Sequence, residues 1–392
     1  MTYPTVELTL GIYHQFSVNI YKISECFTGV ETIEEHNDYF CSVGEALTIV
    51  ILGSFCGLRN VSQIHQWASN SRINEFLSKH FGIRKVPCYY WLLCLLKLIK
   101  PKSLNQCFIN WVQSLIPETL EGFTLSFDGK TIRSTGKMEK YNSPMHIVSA
   151  HIAELGITFG QQTVYDKSNE IPAVRELINL LNIEGCIVVA DALNCQKETA
   201  KAIIDGKADY LLSVKDNQPT LKRDIEDYVQ DEDLQKTMDT FTIVEKNSGR
   251  IERRTAFTTC DIDWLYGKEE WTNLVCIGAV NTQFTTKKET TNEWHYYISS
   301  RKLSAEQLLK HARLEWSVES MHWLLDAHFG EDFCRVEDKN VQQNLNIIRK
   351  IVLNSIKQYK EKYDIKRSFS KIMLDCLLDP YYMLSLLAVG EN

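Results

Sequence analysis

The spacing of apolar residues changes character three times along the chain. Over residues 32–115 it is helical. Residues 42–56 are apolar with small side chains, and 61–68 repeat a 3.6-residue period. Phe76, Leu77, Phe81 and Ile83 continue it, and 89–99 and 104–115 follow, punctuated by Pro87 and Pro101. The expectation is an α-helical N-terminal domain over 1–118.

At Glu121 the texture changes. Residues 123–128 alternate apolar and polar positions and end in an acid followed by Gly129, while 145–152 and 157–164 read as two further strands. Residues 172–181 read as a helix with Pro172 near its first turn, where a missing N–H does no harm. Then Cys186, Ile187, Val188, Val189 and Ala190 run without alternation, the mark of a strand buried on both faces, and end at Asp191. A helix over 196–206 and a short strand over 208–214 complete the order. The expectation for 119–214 is a mixed sheet with helices on its faces.

From 215 to 300 the period shifts again. Residues 241–245, 252–259, 273–280 and 293–299 have strand character, and no buried helix is expected after about Asp231, so the segment reads as a β-rich insertion. Ser304 with Gln307 forms a capping-box pattern that opens one long helix running to about Phe329, within a return to the core over 301–340. The tail, 341–392, reads as helical and basic.

Composition changes this picture little. The chain has 392 residues, of which 44% are hydrophobic and 24% charged, the make-up of an ordinary soluble globular protein. Residues 1–4 lack a basic start and a following apolar run, so no signal peptide is expected, and no stretch is long enough to span a bilayer. Twelve cysteines without a CxxC pair fit buried free thiols in a reducing cytosol better than zinc or a disulfide scaffold.

Net charge is −7, which at face value argues against a nucleic-acid partner. The distribution argues the other way. Arg349, Lys350, Lys357, Lys360, Lys362, Lys366, Arg367 and Lys371 crowd one stretch, Lys130, Arg133, Lys137 and Lys140 another, and the acid excess gathers in 223–270. A solvated helix face accounts for such runs more often than DNA does.

Three acids stand out: Asp128 and Asp191 at strand ends, and Glu319 in the helix after the insertion. Strand ends in open α/β sheets are where ligands and chemistry collect, although Asp191 equally suits a helix N-cap. Glu315, Glu319, His322 and Asp326 fall on one face of the expected long helix. Carboxylates gathered this way repel one another unless a cation lies between them, and oxygen-only ligation suits Mg²⁺. Two competing patterns fail. Asp128-Gly129-Lys130-Thr131 mimics the end of a P-loop, but Thr124 stands where its first glycine belongs. Glu319-Ser320-Met321-His322 matches the Glu-x-x-His of di-iron bundles, but a second copy is missing from the chain.

Longer stretches carry a resemblance. They are Phe127 to Arg133, His146 to Ala150, Lys167 to Ala173, Asp191-Ala192 with Cys195-Gln196-Lys197, and Lys215 with Asn217-Gln218. Gly249 to Glu252, Tyr296 to Ser300, Trp316 with Val318-Glu319, His322-Trp323 with Leu325-Asp326, and Phe329 with Glu331-Asp332 complete the set. In this order they resemble the RNase H-like core of DDE transposases, specifically the ISAs-type insertion-sequence transposases that include the H-repeat-associated proteins. The resemblance covers about 120–355.

It implies a metal-dependent polynucleotidyl transferase that cuts and joins DNA at the terminal repeats of an insertion sequence. Asp128, Asp191 and Glu319 would hold two Mg²⁺ ions, with Mn²⁺ able to substitute. Lys130, Arg133, Lys197, Lys215, Arg250 and Arg254 are the expected phosphate contacts. The partner would be double-stranded DNA, bound by a homo-oligomer in the bacterial cytoplasm at the nucleoid. The broader class carries Tyr, Arg and Lys around its third acid, where this chain has Ala312, Glu315 and Asp326, with Arg313 the nearest substitute for the arginine. The alternative is a catalytically inactive, transposase-derived DNA-binding protein.

Overall fold

A computed structural model describes residues 27, 29–34, 41–137, 144–164, 170–247, 249–286 and 288–387. The resembling positions 167–169 and Lys140 lie outside them. The N-terminal part is helical as expected, with α1 (Val43–Phe55), α2 (Val61–Ala68), α3 (Ser71–Phe81), α4 (Tyr89–Leu98) and α5 (Pro101–Gln113). Ser42 closes a capping box with Glu45 at the start of α1, and Gly82 ends α3 in the left-handed conformation at φ 69°.

The strands β1 (Thr124–Thr131), β2 (His146–Ile152) and β3 (Ile157–Val164) form an antiparallel meander. After α6 (Glu170–Leu180), β4 (Ile187–Ala190) pairs parallel to β1; after α7 (Lys197–Asp205), β5 (Asp209–Val214) pairs parallel to β4. The order β3-β2-β1-β4-β5 is the RNase H-like arrangement, a mixed sheet flanked by helices. β4 is buried on both faces because successive residues alternate sides. Val188 and Ala190 join the main core, while Ile187 and Val189 join a second cluster on the opposite face.

After α8 (Pro219–Gln230) and α9 (Glu232–Gln235) come β6 (Asp239–Asn247), β7 (Arg250–Thr259), β8 (Cys276–Thr285) and β9 (Thr290–Ser299), close to the strands expected. They extend the core sheet. β9 pairs antiparallel with β5, and one nine-stranded sheet results. Helix α10 (Ala305–Leu314), opened by the Ser304–Gln307 capping box, packs Leu308, Leu309 and Ala312 onto the second cluster. Helix α11 (Ser317–Phe329) lies over β1 and β2. Helix α12 (Lys339–Lys362) runs between the N-terminal helices and β3, and α13 (Phe369–Leu378) and α14 (Pro380–Leu387) close the chain. No described helix is long and apolar enough to cross a membrane.

The basic tail needs correction. Arg349 and Lys350 are buried inside α12, with the Lys350 ammonium donating to Ser149 Oγ at 2.8 Å and to Gln161 Oε1 at 2.6 Å. The basic run is therefore not one solvated face. Its first members hold the core together, and exposed basic residues begin near Lys362.

Gly129 makes a close approach possible. A Cβ there would land on His146 Nε2 and lie 2.7 Å from Glu170 Oε2, two buried groups that are 2.8 Å apart and cannot part without losing their pairing. Gly129→Ala should therefore lower the unfolding free energy by about 2 kcal/mol or more. Gly82→Ala, with open space around its Cβ, should cost about 1 kcal/mol for its backbone alone. Urea titrations followed by far-UV circular dichroism read both.

Candidate active site

Register alone brings two of the acids together. Across the parallel pair, Thr124 lies opposite Ile187 and Phe127 opposite Ala190, so the next step sets Asp128 beside Asp191. Leu125 and Phe127 face the main core, so Asp128 points with Thr124 and Ser126 to the other face, toward α10 and α11. Asp191 continues the alternation of Ile187 and Val189 onto that same face. Asp191 is also a cap. Its Oδ1 accepts from the Asn194 backbone N–H at 3.3 Å and from Asn194 Nδ2 at 3.0 Å, which aims the carboxylate. Burial of its surroundings raises its carboxyl above the usual range. The Asn194 bonds oppose that rise, and the negative charges of Glu170 and Asp128 add to it.

The long helix expected over 304–329 is broken. α10 ends at Leu314, and Trp316 turns to ψ −3° before α11 begins. The Leu314 carbonyl, freed from the ladder, accepts from Ser126 Oγ at 3.4 Å, so the break is tied to β1. Glu315 thus falls in the break and not on α11 with Glu319, His322 and Asp326. It sits partly buried at the end of α10, and its carboxyl is pushed up to about 7. Burial is the main cause, and Asp191, Asp128 and Glu319 add to it while Lys215 opposes. Glu319 occupies the first turn of α11. His322 Nδ1 lies 3.2 Å from Asp128 Oδ2, and His322 Nε2 is buried with no hydrogen-bond partner among the described residues.

The six expected basic contacts divide by burial and partner. The side chain of Lys130 is 13% exposed, with its ammonium 2.6 Å from Asp326 Oδ1 and 2.7 Å from Glu331 Oε2. Arg254 bridges Glu245 and buried Glu252, and Arg250 holds Glu252 at 2.5 Å while lying over the Phe284 ring. Lys197 pairs with Glu270. Arg133 stands out at 84% exposure, 3.5 Å from Asp332, on a groove of about 890 Å³ shared with Arg335 and exposed Phe333. Lys215 is exposed at the end of β5. Arg313, the substitute for an arginine beside the third acid, is taken by Glu245 at 3.1 Å.

Sequence reasoning missed the His322–Asp128 contact, the coupling of Glu315 to Asp191, and the burial of Glu331. Only the helical spacing of Glu319, His322 and Asp326 pointed that way.

The donor chemistry suits a divalent cation bound by oxygen. The Asp128 charge raises the proton affinity of Asp191, and Asp191 and Asp128 raise that of Glu315; a cation among them would relieve that. Among the described residues, no group of three or more His, Cys, Asp or Glu side chains lies in metal-holding geometry.

The chain is similar to known proteins along most of its length. The family model described as Transposase DDE domain matches residues 123–355, and the model of its associated region matches 33–112. The H repeat-associated protein YhhI of Escherichia coli strain K12, named as a transposase, is 30% identical over 365 residues, covering 88% of this chain and 93% of its own length. YncI of Escherichia coli O157:H7, also named as a transposase, is 34% identical over 286 residues, 70% of this chain and 72% of that protein. YbfL of strain K12 is 31% identical over 326 residues, 80% and 84% of the two chains.

Glu315 generates a pH prediction. Its folded pKa lies above its unfolded value, so its contribution to stability is present below about pH 4.5 and is lost as pH rises through about 7. Glu315→Gln should match wild type at pH 4 and exceed it by roughly 2 kcal/mol at pH 8. Denaturant titrations in EDTA at both pH values check this; equal stability at pH 8 contradicts it.

Proposed function

This chain belongs to the Transposase DDE domain family, and from that premise we propose that it cuts and joins DNA at the ends of an insertion sequence by metal-dependent phosphodiester chemistry. The observation that supports the reading most is the sheet register. It sets Asp128 and Asp191 side by side on the face covered by α11, whose first turn carries Glu319.

In this reading Asp128, Asp191 and Glu319 hold two Mg²⁺ ions, or Mn²⁺ in their place. When bound, these supply activation of the attacking oxygen and neutralisation of the leaving one. The chain's own residues supply placement. Asn194 aims Asp191, and His322 holds Asp128 toward α11. Exposed Arg133 and Lys215, on either side of Asp191 in sequence, are suited to phosphate, which fixes DNA in register without reading its bases. Water attack breaks the P–O3′ bond and leaves a 3′-hydroxyl and a 5′-phosphate. That hydroxyl then attacks a target phosphorus, one ester replacing another, so no external energy source is needed. Double-stranded DNA is the partner, with the chain acting as a homo-oligomer on it.

Asp191→Asn tests the assignment, because Asn preserves size and the capping geometry while removing one anionic ligand. On a supercoiled plasmid bearing the flanking element ends with Mg²⁺, nicking should fall at least a hundredfold. Gel-shift affinity should hold or rise slightly, since it rests on Lys and Arg contacts, and should fall steeply with added salt. Equal nicking by both proteins would reduce Asp191 to a cap. Absence of nicking by a folded, DNA-binding wild type would favour the inactive DNA-binding protein.

A further inference from the structure

We propose that two polar rungs, Asp128–His322 and Lys130–Asp326, set the register of α11 on β1, and that Lys130 and Asp326 are positioning residues for Glu319. This rests on the reading above of Glu319 as the third acid. Asp128 and Lys130 are two apart on a strand, so they share a face and are spaced about 6.6 Å along it. His322 and Asp326 are four apart on a helix, so they share a face and are spaced about 6 Å along it. The two spacings match, and both rungs close, at 3.2 Å for His322 Nδ1 to Asp128 Oδ2 and 2.6 Å for Lys130 Nζ to Asp326 Oδ1.

A slip of α11 by one residue along β1 would bring His322 and Asp326 level with Gly129 and Thr131, which face the other side of the sheet. A slip of one helical turn would set Lys130 against His322 and leave Asp326 without its partner. The pairing therefore admits one register.

The pin is itself anchored. Lys130 is held from its other side by Glu331 Oε2 at 2.7 Å, and Glu331 is fully buried and bonded to Asn346 of α12. Burial works against the Lys130 charge, but the Glu331 and Asp326 carboxylates outweigh it. Its role is then mechanical: the strand grips the helix. Glu319 lies three residues, about 4.5 Å, before His322 along α11. The rungs thereby fix its position along β1, about 4.5 Å from the level of Asp128 on the Ser126 side.

Asp326→Asn tests this in the full-length chain, since it keeps side-chain shape and leaves the Lys130–Glu331 pair in place. Loss of one charge-assisted bond should speed amide hydrogen exchange across 317–329 about tenfold while leaving α12 unchanged. In the nicking assay the Mg²⁺ concentration for half-maximal rate should rise about tenfold. Lys130→Arg, which keeps the charge, should stay nearer wild type in both.

Unchanged exchange in α11, whatever the nicking result, overturns the proposal. So does faster exchange in α11 and α12 alike, which would make the pair ordinary core adhesion. An unchanged Mg²⁺ requirement with loosened α11 overturns the positioning role. A wild type that fails to nick while Asp326→Asn still loosens only α11 sustains the register pin and rejects the metal-dependent reading.

Discussion

Polar groups carried into a dry interior constrain this fold more than its apolar surfaces do, and α12 shows the constraint most plainly. Its 24 residues pass between the N-terminal helices and the sheet, and buried polar side chains reach out from it to both. Asn344 donates to the carbonyls of Leu96 and Ile99, at 3.0 and 3.1 Å. Asn354 exchanges two bonds with the Thr158 backbone. Lys350 reaches Ser149 and Gln161. Burial drives the Lys350 ammonium down to about 7, against the pull of Glu331. Each such group unpaired would cost its full desolvation, so the helix fits in one position. Apolar packing alone would tolerate several.

That constraint reaches the acids. Glu331 is buried yet held below the ordinary carboxylate range, because the charges of Lys130, Lys350 and Arg349 outweigh its desolvation. It joins Asn346 of α12 to Lys130, and Lys130 joins it to α11. Lys130 shares a face of β1 with Asp128, so this network of fixed charge lies beside Asp128. In the proposed function such a network would serve electrostatic preorganisation, since side chains free to relax around a developing charge would forfeit most of its stabilisation.

Much of this was legible in the sequence. Unbroken apolar character at 186–190 identified the central strand and its terminal acid, because burial on both faces leaves no polar position to interrupt it. The four later strands were visible by alternation. Their continuation of the core sheet was not, since the β5–β9 pairing is a long-range contact with no local signature. The helix break at 315–316 was hidden for a related reason. Both residues keep right-handed helical backbone, and the interruption depends on Ser126, 188 residues away. The basic tail misled because composition cannot separate a lysine on a solvated face from one threaded into a core. Arg349 and Lys350 stand between Ile347-Ile348 and Ile351-Val352 in sequence, and that was the available hint.

The departures around Glu319 now have a physical account. A resemblance to the broader class leads one to expect an arginine at 315 and a lysine at 326, and this chain has acids at both. Positive charge is nonetheless present beside each, delivered from the sheet. Lys130 of β1 meets Asp326 at 2.6 Å, and Lys215, beyond β5, opposes the upward shift at Glu315. The two sites are not equivalent. At 326 the charges are in contact, and the carboxylates of Glu331 and Asp326 hold the buried Lys130 ammonium in its charged form. At 315 the lysine's field loses to burial and to three neighbouring carboxylates, so the position sits near neutrality around pH 7. An acid poised this way adds little repulsion to its neighbours while protonated and adds a full negative charge once a cation arrives, since ligating carboxylates must release their protons. Protonated Glu315 therefore spares the face the crowding that four ionised carboxylates would impose, and in the proposed function it would keep an oxygen donor for a divalent ion.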